Sequence, residues 1–401
     1  MTTIGYTANP SLRRRVPLYP SQFLVGMAIV SLGPLLDPMM SDLHISLERG
    51  GLISAGLFLG NVCAIVVFNT VLASFSAKRT LVAAIVLQGA GLIAAGLVSR
   101  NLWSLFVTYV FVGFSGALMN TTCWVWVSAH MKRDRAGAAL RMILFFALAM
   151  MSVPLILGVA LDAGVSWRWL LVGEGALSLL VAVTATFLPL LDVPDRRNIR
   201  LSQFKEVLAF DPRLMLGIVI AGFTYVGAEM TLNIWLPKFQ IDVFDATDTW
   251  ASLSVTLFWI GLIAGRLAVM TLTRRFNPAR LLLICVSIMA VFTIALGLAP
   301  SQFASLALAV GAGLGASACY GLIGSYAGRF PGWQSAVATS MFILSGGVGA
   351  IAFPYLMGPL ASSAGFRLAV AMIAIPAAIC AVASLLIYAR ADRGSAQQQV
   401  P

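Results

Sequence analysis

Glu229 poses the sharpest chemical question in this sequence of 401 residues. It stands inside an apolar run from Leu214 to Trp235, long enough to cross a bilayer, where about 20 residues at 1.5 Å each are needed. Tyr225 and Asn233 stand four residues to either side, so a helix presents all three polar groups on one face. A charged carboxylate at the centre of such a helix costs about 2.5–3.5 kcal/mol on insertion scales. The face therefore lines a protein interior or a water-filled path. A single polar bridge between packed helices is the simpler role; three stacked polar groups favour a functional one. A carboxyl group in such a place binds and releases a proton if it is exposed to each side of the membrane in turn.

The rest of the chain must supply the helices that bury this face. Hydrophobic residues make up 60% of the sequence and charged residues 10%, where soluble proteins carry about 25% charge. The runs are unbroken rather than alternating, which fits helical spans and not the strands of a membrane barrel. The reading is an all-α polytopic membrane protein. A net charge of +11 does not signal nucleic-acid binding, because the basic residues cluster in short segments between apolar runs. Cys63, Cys123, Cys285, Cys319 and Cys380 lie within apolar runs, at spacings that suit neither zinc nor disulfides, and read as small buried hydrophobes. With two histidines, His44 and His130, no metal site is legible, and no cofactor is expected. The first apolar run, from Val16, leads directly into further spans and reads as a span, not a cleaved signal.

Twelve spans are expected, near 17–37, 50–68, 81–98, 102–129, 142–161, 167–190, 214–235, 250–272, 281–298, 303–327, 335–358 and 368–388. Gly33-Pro34 and Pro38 should bend or end the first. The longest polar stretch divides them six and six, giving an N-terminal unit (1–191), a linker (192–212) and a C-terminal unit with its tail (213–401). Of the 26 lysines and arginines, 20 fall in segments that this topology puts inside, among them Arg13, Arg14 and Arg15, and five outside. The twenty-sixth, Arg266, lies within span eight. This imbalance orients both termini to the cytoplasm. The halves repeat: Arg168 and Arg367, which open spans six and twelve, stand 199 residues apart, as do Arg141 and Ser340. Pro154 and Pro354 fall within one residue of that register.

Twelve spans, a central basic loop and two six-span halves related by a parallel repeat resemble the major facilitator superfamily. Thr70-Val-Leu-Ala-Ser-Phe-Ser-Ala-Lys78-Arg79 is similar to that family's loop between spans two and three, with Leu72, Ala73 and both basic residues kept and the usual aspartate replaced by Ser74. Gly265-Arg266, Arg274-Arg275 and Arg280 resemble its copy in the second half, and Trp167-Arg168-Trp169 resembles the start of its sixth span. Its span-five antiporter motif is reduced to Val153-Pro154 and Gly158, which weakens a drug-efflux assignment. Tyr225-Val-Gly-Ala-Glu229 followed by Trp235-Leu-Pro237 looks like branches that include sugar and metabolite symporters. The resemblance implies two six-helix bundles around a cavity lined by spans one, four, seven and ten, reached from alternate sides as the halves rock.

On that basis the expected roles divide as follows. Asn120, Trp124, Trp126, Tyr225, Asn233, Tyr320 and Tyr326 are substrate-binding candidates, since indole faces beside amides suit sugar rings and flat organic molecules. Glu229, with Asp37 behind it, is the proton-coupling candidate, and Arg266, Lys78 and Arg79 are gating candidates, although Arg266 could instead snorkel to the interface. Glu174, on a peripheral span, reads as a structural hydrogen-bonding group. The expected function is secondary active transport of a small organic solute by a monomer in the lipid of the cytoplasmic membrane. The alternatives are a proton-driven efflux antiporter and a passive channel. No nucleotide-binding loop is present, so a gradient and not ATP should drive transport, and nothing in the spans suggests an enzyme.

Overall fold

The structure, a computed structural model, describes residues 18–70, 75–131, 134–187 and 201–397. Arg13 to Arg15, Leu72 to Ser74, Lys132, Arg133 and residues 192–200 of the expected linker lie outside the described residues. Among the described residues there are sixteen helices and no strand. In chain order these are α1 (Leu18–Val30), α2 (Leu32–Asp42), α3 (Leu47–Thr70), α4 (Ala77–Val98), α5 (Leu102–His130), α6 (Arg135–Asp162) and α7 (Trp167–Phe187) in the first part. After α8 (Leu201–Phe210) come α9 (Pro212–Phe244), α10 (Asp248–Leu272), α11 (Pro278–Gly297), α12 (Gln302–Ala316), α13 (Cys319–Ala327), α14 (Gln334–Ala364), α15 (Phe366–Met372) and α16 (Ala374–Gln397). Eleven spans are long and apolar enough to cross a membrane, counting α12 with α13 and α15 with α16, and the bent pair α1–α2 makes a twelfth.

Three elements depart from the sequence expectation. Span one bends by 43° at Ser31, two residues before Gly33-Pro34, as expected of that pair, but continues past Pro38 to Asp42 instead of ending near Asp37. Pro34 has no N–H to give the Val30 carbonyl and its ring crowds that carbonyl, so the break falls upstream of the proline itself. Span seven is 33 residues long and runs through Pro237 to Phe244, ending at Asp245 in the left-handed region (φ 51°). The expected linker carries a helix of its own, α8, which buries Val207 and rests on α9 and α14.

The halves repeat in their packing. In the first, α3 lies on α5, the α1 segment on α6, and α4 on α7; six spans later, α10 lies on α12, α9 on α14, and α11 on α16. The halves meet through α3 against α14 and α6 against α10, two contacts that the same six-span step exchanges. Arg168 and Arg367 do one job in both copies. Arg168 Nη1 donates to the carbonyls of Gly96 (3.1 Å) and Ser99 (2.9 Å) at the end of α4, and Arg367 Nη1 donates to Ala299 O (2.6 Å) at the end of α11. Helix ends expose carbonyls without intrahelical donors, and a guanidinium is a suitable cap. Cys123, Cys285, Cys319 and Cys380 are buried as expected, whereas Cys63 of α3 is exposed. The apolar-run signal cannot tell the inward face of a span from the outward one when lipid and core are equally apolar.

Close helix contact rests on glycine at Gly113 and Gly313, where a Cβ would run into the carbonyl oxygens of Leu57 and Phe258 respectively. Around Gly173 nothing lies within 4 Å. Gly113→Ala and Gly313→Ala should each lower the thermal midpoint of the purified protein, by a destabilisation of about 1–3 kcal/mol, while Gly173→Ala leaves it unchanged. Equal midpoints for all three would contradict the packing described.

Candidate functional site

Span ten is discontinuous: α12 ends at Ala316 and α13 begins at Cys319. Across the break the Ser317 N–H reaches only Leu314 O, at 3.4 Å. The last carbonyls of α12 lose the donors of a following turn, and in a membrane interior these must be replaced from within the protein. Two side chains do so. Tyr225 of α9 donates its hydroxyl hydrogen to Ala316 O (2.9 Å), and Arg266 of α10 donates Nε–H to Ser317 O (3.0 Å). Gly265 lets α10 approach, since a Cβ there would lie 2.5 Å from Ser317 Cβ.

Glu229, 4% exposed, lies one turn beyond Tyr225, within electrostatic reach of the Tyr225 hydroxyl and of Arg266. Tyr320, in the first turn of α13, is within reach of both charges, and its ring lies 4.9 Å from that of Phe342. A tyrosine hydroxyl has one hydrogen. While Tyr225 gives that hydrogen to Ala316 O, it can only accept from Glu229, which suits a protonated carboxyl. An ionised Glu229 would accept instead, either the Tyr225 hydrogen at the expense of Ala316 O or one of the four further N–H groups of the Arg266 guanidinium, whose Nε–H can stay on Ser317 O.

A second polar contact lies one turn further along α9. Trp259 of α10 donates Nε1–H to Asn233 Oδ1 (2.8 Å), leaving Asn233 Nδ2 buried without a protein partner among the described residues. The Trp259 ring meets Phe146 of α6 edge-to-face (6.1 Å between centroids), so this contact reaches across to the first half. Thr256 Oγ1 donates to Met151 O nearby, also between halves (3.0 Å).

The end of the molecule that the charge distribution assigns to the outside is sealed by matched pairs. Lys238 Nζ sits 2.7 Å from Asp37 of α2 and 2.6 Å from Asp242. The Asp162 carboxylate accepts the backbone N–H groups of Asp248 and Thr249 (3.0 Å each), so α6 caps the start of α10 from the other half. Ser362 of α14 donates to Glu48 of α3 (3.2 Å). Two glycines related by the repeat permit the approach: a Cβ at Gly158 would lie 2.6 Å from Asp248 O, and one at Gly358 would lie 2.5 Å from Leu47 O.

Of the residues singled out in the sequence, the structure brings together Tyr225, Glu229, Arg266 and Tyr320, and joins Asn233 to Trp259. Arg266 is directed to the span-ten break. Asp37 is held by Lys238 in the outer seal. On α5, Asn120 is half-buried, Trp124 is 36% exposed, and Trp126 is fully buried with its ring stacked on His130 (4.7 Å, 25°). Tyr326 is buried beneath the Arg329 guanidinium, 4.3 Å from its ring. Lys78 and Arg79 occupy the first turn of α4, the first half-buried and the second exposed. Trp259 and Lys238 were not singled out. An indole N–H inside an apolar span needs a partner, which points to Trp259; Lys238 was hidden because span seven was expected to end at Trp235, which leaves Lys238 outside it.

This fold is that of a membrane transporter. The Major Facilitator Superfamily profile matches residues 18–329 and 244–400, and the chain belongs to that family. It is 22% identical over 353 residues to the glucose/mannose transporter GlcP of Bacillus subtilis, covering 85% of this chain and 86% of the relative. Similar solved structures include the D-xylose-proton symporter (TM-score 0.78, 12% identity, 94% of this chain and 97% of that one). A bacterial homologue of the lysosomal transporter Spinster, inward-facing and unoccupied, superposes with a TM-score of 0.76 at 15% identity (94% and 98% covered). The nucleoside transporter NupG gives 0.72 at 16% identity (93% and 98% covered).

Asp37→Asn and Lys238→Gln both break the same ion pair in the seal. Each should lengthen the distance between spin labels at positions 46 and 363, on the outer ends of opposite halves, and the double variant should lengthen it no further than the stronger single one. Additive lengthening, or none, would show that this pair does not hold the outer end closed.

Proposed function

We propose that the protein is a proton-coupled secondary transporter of a small hydroxylated organic solute, in the sugar or nucleoside size range. In this reading it is a monomer in the cytoplasmic membrane with both termini inside, and it works by alternating access. The supporting observation is the arrangement around Glu229: a buried carboxyl whose partners, Tyr225 and Arg266, are also the donors that hold the break in span ten.

The cycle follows from hydrogen-bond bookkeeping. With Glu229 protonated, Tyr225 and Arg266 remain on Ala316 and Ser317, and the arrangement seen is complete. Loss of the proton leaves a buried carboxylate that competes with Ala316 O for the single Tyr225 hydrogen and pulls the Arg266 guanidinium towards itself. In a low-dielectric interior that competition is strong, because an unpaired charge is far more costly than an unpaired carbonyl. Span ten then loses its braces, and the preferred conformation changes. The Asn233 amide N–H, buried and unpartnered, supplies a donor for a substrate hydroxyl, and the Trp259 indole fixes the amide in that orientation. The sugar and nucleoside transporters among the relatives and similar structures support the solute class.

Glu229→Gln copies the protonated carboxyl in shape. Proteoliposomes carrying it should exchange solute across the membrane at a measurable rate, yet fail to concentrate solute under an imposed pH gradient. Concentration at the wild-type level would make Glu229 structural. Asn233→Ala should raise the half-saturation concentration about tenfold, the equivalent of about 1.4 kcal/mol for one hydrogen bond, with little change in maximal rate. An unchanged half-saturation concentration would remove Asn233 from the binding site.

A further inference from the structure

The mechanism above leaves one buried carboxyl unused. Glu174 of α7 is 8% exposed, and one of its oxygens, Oε2, has no protein partner among the described residues. The other, Oε1, contacts the hydroxyl of Ser31. That same Ser31 Oγ also lies in hydrogen-bonding contact with Met27 O. Ser31 is fully buried and forms the junction at which span one bends by 43°.

A serine hydroxyl carries one hydrogen, and two acceptors stand against it here. If Glu174 were ionised, Ser31 would have to donate to it, its contact with Met27 O would lose its hydrogen, and the second carboxylate oxygen would stay bare. A neutral Glu174 resolves the contact: its O–H donates to Ser31 Oγ, and Ser31 donates to Met27 O. Only a neutral carbonyl oxygen is then left over, a far smaller cost than half of a buried charge.

Among the described residues no cation is placed to supply the alternative. On α7 itself Arg168 is held 2.8 Å from Asp42 at the outer end. From α5 the group that reaches Glu174 electrostatically is the Tyr109 phenol, whose hydroxyl points to Met39 Sδ (3.9 Å). The α4 helix brings the neutral Gln88, itself bonded to Leu24 O (2.9 Å), and carries its charges, Lys78 and Arg79, in its first turn. The bent span one offers Ser31 at this level and Asp37 beyond it, the latter paired with Lys238.

We infer that Glu174 is a second proton-binding site, separate from Glu229, and that its proton is registered through Ser31 on the bend of span one. The two halves then hold comparable devices. Glu229 acts through the Tyr225 hydroxyl on the break of span ten; Glu174 acts through the Ser31 hydroxyl on the break of span one. Removing the Glu174 proton turns Ser31 from Met27 towards the carboxylate and changes the bend, which carries Asp37 and hence the outer seal.

The test uses the full-length protein in a Glu229→Gln background, so that the first site is silent. Spin labels at positions 46 and 363 report the outer seal over about pH 5 to 9, the range in which buried carboxyls titrate. The label distance should still shift with pH in that background, and adding Glu174→Gln should abolish the shift. Ser31→Ala provides a second arm that keeps the carboxyl. It should retain the infrared carbonyl band of a protonated acid that Glu174→Gln removes, and yet lose the pH response of the labels. A Glu229→Gln protein that is already insensitive to pH, a shift that survives Glu174→Gln, or an infrared spectrum that Glu174→Gln leaves unchanged would each overturn the assignment. None of these outcomes depends on whether Glu229 couples transport, which the solute-accumulation assay decides on its own.

Discussion

The constraint on which the structure depends is that the interior of a membrane supplies no water to an unpaired polar group. Each span must close its own backbone bonds, and any interruption must be repaired by side chains from a neighbouring helix. The break in span ten is such an interruption, and its repair by Tyr225 and Arg266 fixes the positions of three helices at once. Glu229 is set beside those two donors, and in the proposed mechanism a change in its charge acts through the Tyr225 hydrogen that also holds the break.

The seal at the opposite end follows the duplication. Gly158 against the start of α10 and Gly358 against the start of α3 are the same contact made twice. Around them the halves have acquired different chemistry: Asp162 capping α10 on one side, and Ser362 bonded to Glu48 on the other. The ion pair of Asp37 and Lys238 lies between the two first spans of the halves. Backbone-to-backbone approach gives the seal its shape, and Lys238, bonded to both Asp37 and Asp242, supplies its ion pairs.

Much of this architecture was legible in the residues. The twelve apolar runs, the imbalance of basic residues and the 199-residue offset between Arg168 and Arg367 gave the spans and the repeat, because length and charge act locally. The face of Tyr225, Glu229 and Asn233 was legible too, since helical spacing alone puts these residues together. What could not be read was who answers them. Trp259 lies 26 residues from Asn233 and Ala316 lies 91 from Tyr225, and only packing brings such residues into contact. The end of span seven, expected at Trp235, lies further on for a related reason. A proline ends many helices, but the lost hydrogen bond is tolerated within a membrane helix when neighbouring helices satisfy the freed groups, so α9 continues to Phe244 and takes Lys238 into the seal.

The central claim is that solute and proton move together through one carboxyl. It is tested most directly by adding sugars or nucleosides to lightly buffered vesicles carrying the purified protein and following the external pH alongside labelled solute. Solute flux through the wild type should be accompanied by proton movement in a fixed ratio, and the Glu229→Gln protein should carry solute down its gradient with no proton movement. Solute flux through the wild type that leaves the pH unchanged would contradict the account.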